Sequence, residues 1–330
     1  MSRRIVIQQE YWPLKGVFGI ARGVRSGIES LLVEIHEDGF CGRGEANIST
    51  GSRYGESVMQ VKADIAAQVP ALESGMARVE LGQRMPAGAA RNAVDCALWE
   101  LQAKQHGVPV WILAGLNPPQ PVMTAYTLGV DSPAGMAQTA LEHAARPLLK
   151  LKLNGDGADL ARVEAVRRNA PAAKLIIDAN EGWSRSDYES LVPAFSRQNV
   201  SLIEQPFKAA EDALLAELAR PIPVAADESC CTSADLPRIL GRYDVVNIKL
   251  DKTGGLSEAL VLRQAAVAQG LQIMVGCMLG TSLAMAPALL LAQDAGWVDL
   301  DGPLWLAQDR QPGLRFNGSV IQPLTTQIWG

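Results

Sequence analysis

Apolar and polar residues alternate in short bursts along the last two-thirds of the chain, and stretches with helical spacing separate the bursts. The bursts are Val122–Leu128, Leu148–Leu153, Leu175–Ala179, Ser201–Gln205, Val224–Glu228, Val245–Leu250, Gln272–Cys277 and Val298–Asp301. Their starts lie 21 to 27 residues apart, the length of one strand, one crossover helix and two loops. Helical spacing fills Asp159–Asn169, Asp187–Gln198, Glu211–Ala219 and Ser257–Gln269, the last stopped by Gly270. Eight parallel strands with crossover helices predict a closed barrel, although a doubly wound open sheet satisfies the same count.

Residues 1–120 follow another pattern. Ile5–Ile7, Ser30–His36 and Phe40–Glu45 alternate around an Asp38-Gly39 turn, and helical patterns follow at 55–68, 78–83 and 89–106. The Pro-rich stretch 116–121 separates this α+β region from the barrel unit, 121–302. The tail, 303–330, holds no further strand–helix unit and is expected to return to the first region.

Composition narrows the function. About half of the 330 residues are hydrophobic (48%) and the net charge is −5, which suits a globular core and not a polyanion-binding surface, so no nucleic-acid partner is expected. The longest apolar run, Ala284–Ala292, contains Pro287 and is far short of the ~18 residues of a membrane span. The N-terminus has no signal-like apolar run, and the five cysteines show no CxxC spacing, so a cytoplasmic, reduced protein with no membrane contact is expected. His36, His106 and His143 are the only histidines and lie at a strand end or at helix ends. A Ser-His-Asp or Cys-His centre is therefore not predicted, and proton chemistry falls to carboxylates and lysines.

Those residues cluster at the strand ends. In Leu148–Leu153, period two puts Lys150 and Lys152 on one face and Leu149, Leu151 and Leu153 on the other, so the lysines are expected to point into the barrel. The next three bursts end in carboxylates: Asp178, Glu204 and Asp227. Converging at one rim, they repel one another unless a cation sits between them, and an all-oxygen set selects Mg²⁺, with Mn²⁺ second. On the sixth strand, period two places Lys249 and Asp251 inward. Strands two and six are opposite in a ring of eight, so Lys152 and Lys249 are expected to face each other across the mouth. A carboxylate substrate held at the metal would present its α-carbon between two amines. Deprotonation gives an enediolate that a divalent ion and ammonium groups stabilise. One lysine, its pKa lowered by the ion and by Lys150, takes the proton and the other returns it to the opposite face. On the last strand Asp299 and Asp301 alternate inward, facing the end of the substrate remote from the metal.

Lys150-Leu151-Lys152, Asp178-Ala179-Asn180, Glu204-Gln205-Pro206, Asp227-Glu228-Ser229 and Lys249-Leu250-Asp251-Lys252-Thr253-Gly254-Gly255 together resemble the enolase superfamily in its muconate-lactonizing subgroup. The stretch 88–100 looks like a capping-domain helix of those proteins. Asp299-Leu300-Asp301-Gly302-Pro303 and 276–282 look more narrowly like dipeptide epimerases, including the L-Ala-D/L-Glu type. The resemblance implies a modified TIM barrel, (β/α)₇β, with an α+β capping domain at 1–120 completed by about 303–330. It implies Asp178, Glu204 and Asp227 as Mg²⁺ ligands, Lys152 and Lys249 as acid/base pair, and Lys150 at the substrate carboxylate. Asp299 and Asp301 would hold the free α-ammonium of a dipeptide. Arg22, then Arg25, in the loop 18–26 would meet an acidic side chain, and Thr127 and Met278 complete the substrate-binding set. A homo-oligomer is expected. The capping loop 45–56 lacks the prolines common there and is longer.

The nearest alternatives are N-acylamino acid racemase, o-succinylbenzoate synthase or cycloisomerase activity of the same subgroup. A Schiff-base aldolase using Lys152 and a non-catalytic barrel are more distant ones.

Overall fold

The computed structural model describes residues 3–20, 23–48 and 56–330. An antiparallel sheet opens the chain, β1 (Arg4–Ile20), β2 (Gly23–Glu37) and β3 (Phe40–Asn47), in the order 1-2-3. Three helices follow: α1 (Val58–Glu73), α2 (Arg78–Arg84) and α3 (Ala89–His106). Leu31, Val33 and Ile35 of β2 alternate into a core shared with all three helices. Gly42 and Gly44 let β3 lie directly on α3, since a Cβ at either would stand 2.0 Å from the carbonyl oxygen of Ala97 or Ala93. The sheet and α3 thus share one backbone-to-backbone contact.

Helix α3 is buried on two sides. Ala89, Ala93 and Ala97 face the sheet core, whereas Cys96, Trp99 and Ala103 belong to the larger core of the barrel. Its Asp95 accepts hydrogen bonds from Ser257 N at 2.9 Å and Ser257 Oγ at 2.5 Å, and Arg91 donates to the carbonyls of Thr253 and Gly254.

The rest is an eight-stranded parallel sheet: β5 (Tyr126–Leu128), β6 (Leu148–Lys152), β7 (Lys174–Asp178), β8 (Val200–Glu204), β9 (Val224–Ala226), β10 (Val245–Ile248), β11 (Gln272–Gly276) and β12 (Trp297–Asp299), each beside its sequence neighbour. Ala125 N donates to Val298 O at 2.8 Å, which brings the first and last strands together and rolls the sheet into a barrel. Seven crossovers and a final strand make it (β/α)₇β.

Two expected elements differ. The burst 122–128 is not one strand. Val122–Met123 forms β4, which pairs with the hairpin β13 (Phe316–Asn317) and β14 (Val320–Ile321), and Thr124 N turns to Ser319 O before β5 begins. The segment 211–219 is a 3₁₀ turn, Asp212–Ala216, and not an amphipathic helix. Asp212 is buried and bound by Arg238, Arg242 and Tyr243, and Pro221 and Pro223 follow, so there is no room to propagate a helix.

The tail touches both regions. Leu314, Ile321, Leu324, Ile328 and Trp329 join the barrel core, while Trp329 Nε1 donates to Arg43 O and Arg310 bonds Glu45 on β3. Among the described residues no helix is long and apolar enough to cross a membrane.

Candidate active site

The barrel interior is built in layers. Its floor takes one residue from each strand or its approach: Ala125, Leu148, Ile176, Leu202, Ala225, Val245 and Met274, packed with Trp297. Two residues further along each strand, period two brings the next inward side chain. That layer is Thr127, Lys150, Asp178, Glu204, Asp227, Asn247, Gly276 and Asp299. The floor is apolar and the ring above it is polar. Leu149, Leu151 and Leu153 face the helices, as the alternation predicted.

The register makes the ring continuous. Lys152 pairs with Asp178, and Asp178 with Glu204. Lys150 Nζ lies 2.6 Å from Glu204 Oε2, 2.7 Å from Asp299 Oδ2 and 3.2 Å from Asp178 Oδ2. Lys152 Nζ bonds Asp178 Oδ2 at 2.6 Å. Across the ring, Lys249 Nζ bonds Asp227 Oδ2 at 2.6 Å and stands 3.7 Å from Glu204 Oε1. β6 and β10 are four strands apart in the ring of eight, so Lys152 and Lys249 reach the same carboxylate group from opposite walls. Gly276 on β11 leaves space for this, since a Cβ there would lie 2.7 Å from Asn247 Oδ1 and 3.1 Å from Lys249 Cε.

Burial alone would make every one of these ions costly. For Asp178 the nearby ammoniums of Lys152 and Lys150 outweigh burial and hold the carboxyl below the usual range. For Asp227 those of Lys249 and Lys252 do the same. Glu204 goes the other way, raised by burial and by the charge on Asp178. Burial opposes the charge on Lys249, but Asp227 and Glu204 outweigh it and raise the ammonium above its ordinary value. The sequence argument called for a lowered lysine, and in this carboxylate cage contact with two acids dominates the repulsion from Lys150.

A hard divalent cation fits the donor set. Asp178, Glu204 and Asp227 are buried oxygen donors on three successive strands, with no nitrogen or sulfur ligand among them. Glu204 Oε2 and Asp227 Oδ1 accept no directional hydrogen bond and are met only by ammonium charge.

Other sequence-predicted residues fall in several places. Asp251 does not face the barrel interior, because the chain turns helical at Leu250. Its carboxylate reaches the first domain, accepting from Asn47 N at 3.3 Å and Asn92 Nδ2 at 3.0 Å, and burial pushes it up to about 7. Asp299 and Asp301 are both buried, but Asp301 lies beyond the strand end and accepts from Thr127 N at 2.7 Å. Asp299 is not remote from the carboxylate triad, since one Lys150 ammonium touches it and Glu204 together. Thr127 Oγ1 donates to Asp299 at 3.3 Å. Met278 is half-buried just past β11. Arg22 and most of the capping loop (49–55) lie outside the described residues, as does the side chain of Arg25.

Four residues of the cluster were not singled out as site residues from sequence. Asn247 donates to Glu204 Oε1 at 2.7 Å, and Lys252 lies 2.8 Å from Asp227 Oδ1. Gln205 braces the loop that carries Asp227. Glu228 is buried beside Asp227 and pushed up to about 7 by that burial. Asn247 was legible as the inward neighbour of Lys249. Gln205 and Glu228 act from loops and Lys252 from the helical turn Leu250–Thr253, where period two no longer applies.

Comparison with known proteins defines the class. Residues 2–115 match the N-terminal domain of the mandelate racemase / muconate lactonizing enzymes, and residues 134–310 match the enolase C-terminal domain-like family. The chain belongs to the mandelate racemase / muconate lactonizing enzyme family of the enolase superfamily, and it is an isomerase. Within that family it is 45% identical to the L-Ala-D/L-Glu epimerase of Escherichia coli (strain K12), covering 95% of this chain and 98% of that one. It is also 45% identical to the N-acetyl-D-glutamate racemase of a Pseudoalteromonas species, over 84% and 89% of the two chains. An enolase family member from Agrobacterium tumefaciens with homology to dipeptide epimerases superposes with a TM-score of 0.96 at 47% identity. That comparison covers 99% of this chain and 100% of the other, whose crystal structure holds sodium and L-Ala-L-Glu. A dipeptide epimerase from Enterococcus faecalis, complexed with Mg and L-Leu-L-Tyr, gives a TM-score of 0.90 at 30% identity, over 98% and 97% of the chains.

Proposed function

We propose that this enzyme epimerises dipeptides of the L-Ala-D/L-Glu kind, moving the α-proton of the C-terminal residue between two lysines. The observation that carries this reading is the pair Lys152 and Lys249, on opposite barrel walls and each within 2.6 Å of a carboxylate of one triad. Asp178, Glu204 and Asp227 would hold Mg²⁺, or Mn²⁺ in its place. Bound there, the ion supplies stabilisation for the negative charge that develops on the substrate carboxylate. Lys150 adds a fixed positive charge at that carboxylate. Lys152 removes the proton from one face, and Lys249, protonated, delivers one to the other, so the configuration inverts. Asp299 and Asp301 accept hydrogen bonds from the dipeptide's α-ammonium, with Thr127 and Met278 lining the pocket and Arg22 or Arg25 meeting an acidic side chain. In this reading residues 1–120 and 303–330 form the cap over the barrel, 121–302, of a cytoplasmic homo-oligomer.

The test is α-proton exchange. In D₂O with Mg²⁺, L-Ala-L-Glu should lose its glutamyl α-proton signal and the L-Ala-D-Glu diastereomer should appear by NMR. A dipeptide panel that shows no exchange rejects the proposal. A second reading, N-acylamino acid racemisation, is favoured by the 45% identity to the N-acetyl-D-glutamate racemase. Its substrate lacks the ammonium, so Asp301→Asn would spare racemisation of N-acetylglutamate and cripple dipeptide turnover.

A further inference from the structure

The far end of the first domain's sheet carries a cluster that the epimerase reading does not use. Period two sends Leu31, Val33 and Ile35 of β2 into the domain core, and therefore turns Glu34 and His36 to the sheet's other face. Cys41 of β3 is the cross-strand partner of His36, each two residues from the Asp38-Gly39 turn. His36 Nε2 lies 3.2 Å from Glu34 Oε2 and 3.8 Å from Cys41 Sγ, and the three ligand atoms are all within 4.8 Å of one another.

The two separations from His36 are those of a coordination shell, and Glu34 and Cys41 lie within 4.8 Å of each other. Zinc bonds of ~2.0–2.1 Å to nitrogen or oxygen and ~2.3 Å to sulfur, at a tetrahedral angle, give edges of about 3.3 Å for N···O and about 3.6 Å for N···S. The three residues are half-buried, which leaves a fourth position to solvent. The nearby cations are already engaged: Lys104 lies 3.0 Å from Glu100 and donates to Cys41 O, and Arg43 pairs with the same Glu100 at 2.6 Å. Imidazole and thiol with one carboxylate favour a borderline transition ion over Mg²⁺. Asn47, which touches Asp251 beside the barrel, lies six steps along β3 from Cys41, a span of about 20 Å.

We propose that Glu34, His36 and Cys41 form a second metal site, for Zn²⁺ or a like divalent transition ion, independent of the oxygen-lined site in the barrel. Binding exchanges the thiol proton of Cys41 for a metal–sulfur bond and releases that proton to water. Because the metal displaces that proton, affinity should rise with pH.

Co²⁺ titration of the reduced, metal-stripped full chain, with its barrel site saturated by Mg²⁺, tests this. At one equivalent the wild type should develop a thiolate-to-cobalt charge-transfer band, which Zn²⁺ then abolishes. Cys41→Ser should lose the band, and His36→Gln and Glu34→Gln should each weaken binding by about tenfold or more. Circular dichroism and isomerase turnover should stay at wild-type values, since none of the three lies in the barrel. No thiolate band in the wild type overturns the proposal, as does a band that survives Cys41→Ser. If Cys41→Ser does not fold, wild-type affinity in both other variants overturns it equally.

Discussion

Gln205 should be worth more to this active site than a residue that touches no substrate ordinarily is. It follows Glu204 directly, is fully buried, and holds a left-handed backbone at φ 39°. Its Oε1 accepts from Asp227 N at 2.9 Å and Ser229 N at 3.1 Å. Its Nε2 lies 2.8 Å from Phe207 O, 2.7 Å from Ser229 Oγ and 3.0 Å from Tyr243 OH. One amide therefore ties the loop after β8 to the loop after β9, and so fixes Asp227 relative to Glu204.

Gln205→Ala strands two buried backbone N–H groups at about 1–3 kcal/mol each. Adding the lost donor to the Ser229–Tyr243 pair, the destabilisation should be about 3–5 kcal/mol. Gln205→Gly breaks the same bonds but relieves the left-handed strain, worth roughly 1–2 kcal/mol and partly offset by unfolded-chain entropy. The glycine variant should therefore be the more stable of the two by about 1 kcal/mol, the reverse of their usual order. Urea unfolding followed by tryptophan fluorescence measures both. Calorimetric Mg²⁺ titration should show about 10–100-fold weaker binding in each, because Asp227 has lost its support. An alanine variant within 1 kcal/mol of the parent and with unchanged Mg²⁺ affinity would refute the clamp, and an alanine variant more stable than the glycine one would refute the strain.

Asp251 sits near pKa 7 when folded, above an unfolded value of about 3.9, so its contribution is complete below pH ~4 and is lost as pH rises through 7. Asp251→Asn should remove that decline, a difference on the order of 4 kcal/mol at pH 8 read from unfolding midpoints; parallel pH profiles for the two proteins would contradict it. Gly276→Ala should displace Lys249 and lower kcat by on the order of 100-fold, while costing stability only about 1–3 kcal/mol. Lys152→Met and Lys249→Met should each abolish epimerisation yet retain α-deuterium exchange from one epimer, a different one in each; exchange from both epimers in either variant would show that the lysines do not divide the two faces.

Much of this arrangement was legible because a barrel strand keeps period two. Lys150, Lys152, Asp178, Glu204 and Lys249 all sit on inward positions that the alternation assigns, and the leucines alternating with the first two lysines (Leu149, Leu151, Leu153) face the helices. Where the alternation stops, prediction failed for a physical reason. Asp251 is two residues beyond Lys249, but the chain has already turned helical, so its side chain swings to Asn47 and Asn92 instead. Thr124 breaks the first strand because its backbone bonds the C-terminal hairpin, a partner nearly two hundred residues away that no local pattern announces. Gln205 escaped for a similar reason, since its positive φ and its five partners arise from loops that meet only in the folded barrel.

The buried charge in the mouth explains why so many ions tolerate one place. Among the described residues, Asp178, Glu204, Asp227, Glu228, Asp299 and Asp301 supply six carboxyl groups there, and Lys150, Lys152, Lys249 and Lys252 supply four ammoniums. Fully ionised, the group carries two more negative charges than positive, which is the charge of one divalent cation. An apolar ring of the same volume would be easier to fold, but it would offer none of the oxygen donors and ammoniums that meet here. The layering makes this tolerable: the floor beneath is apolar and closed, so the ions meet one another at the mouth and are not scattered through the core. A change that removes one ammonium leaves a carboxylate buried without its partner, whereas a change in the floor costs only packing. The apolar floor and the first ionised layer of this barrel are therefore separated by two residues along each strand.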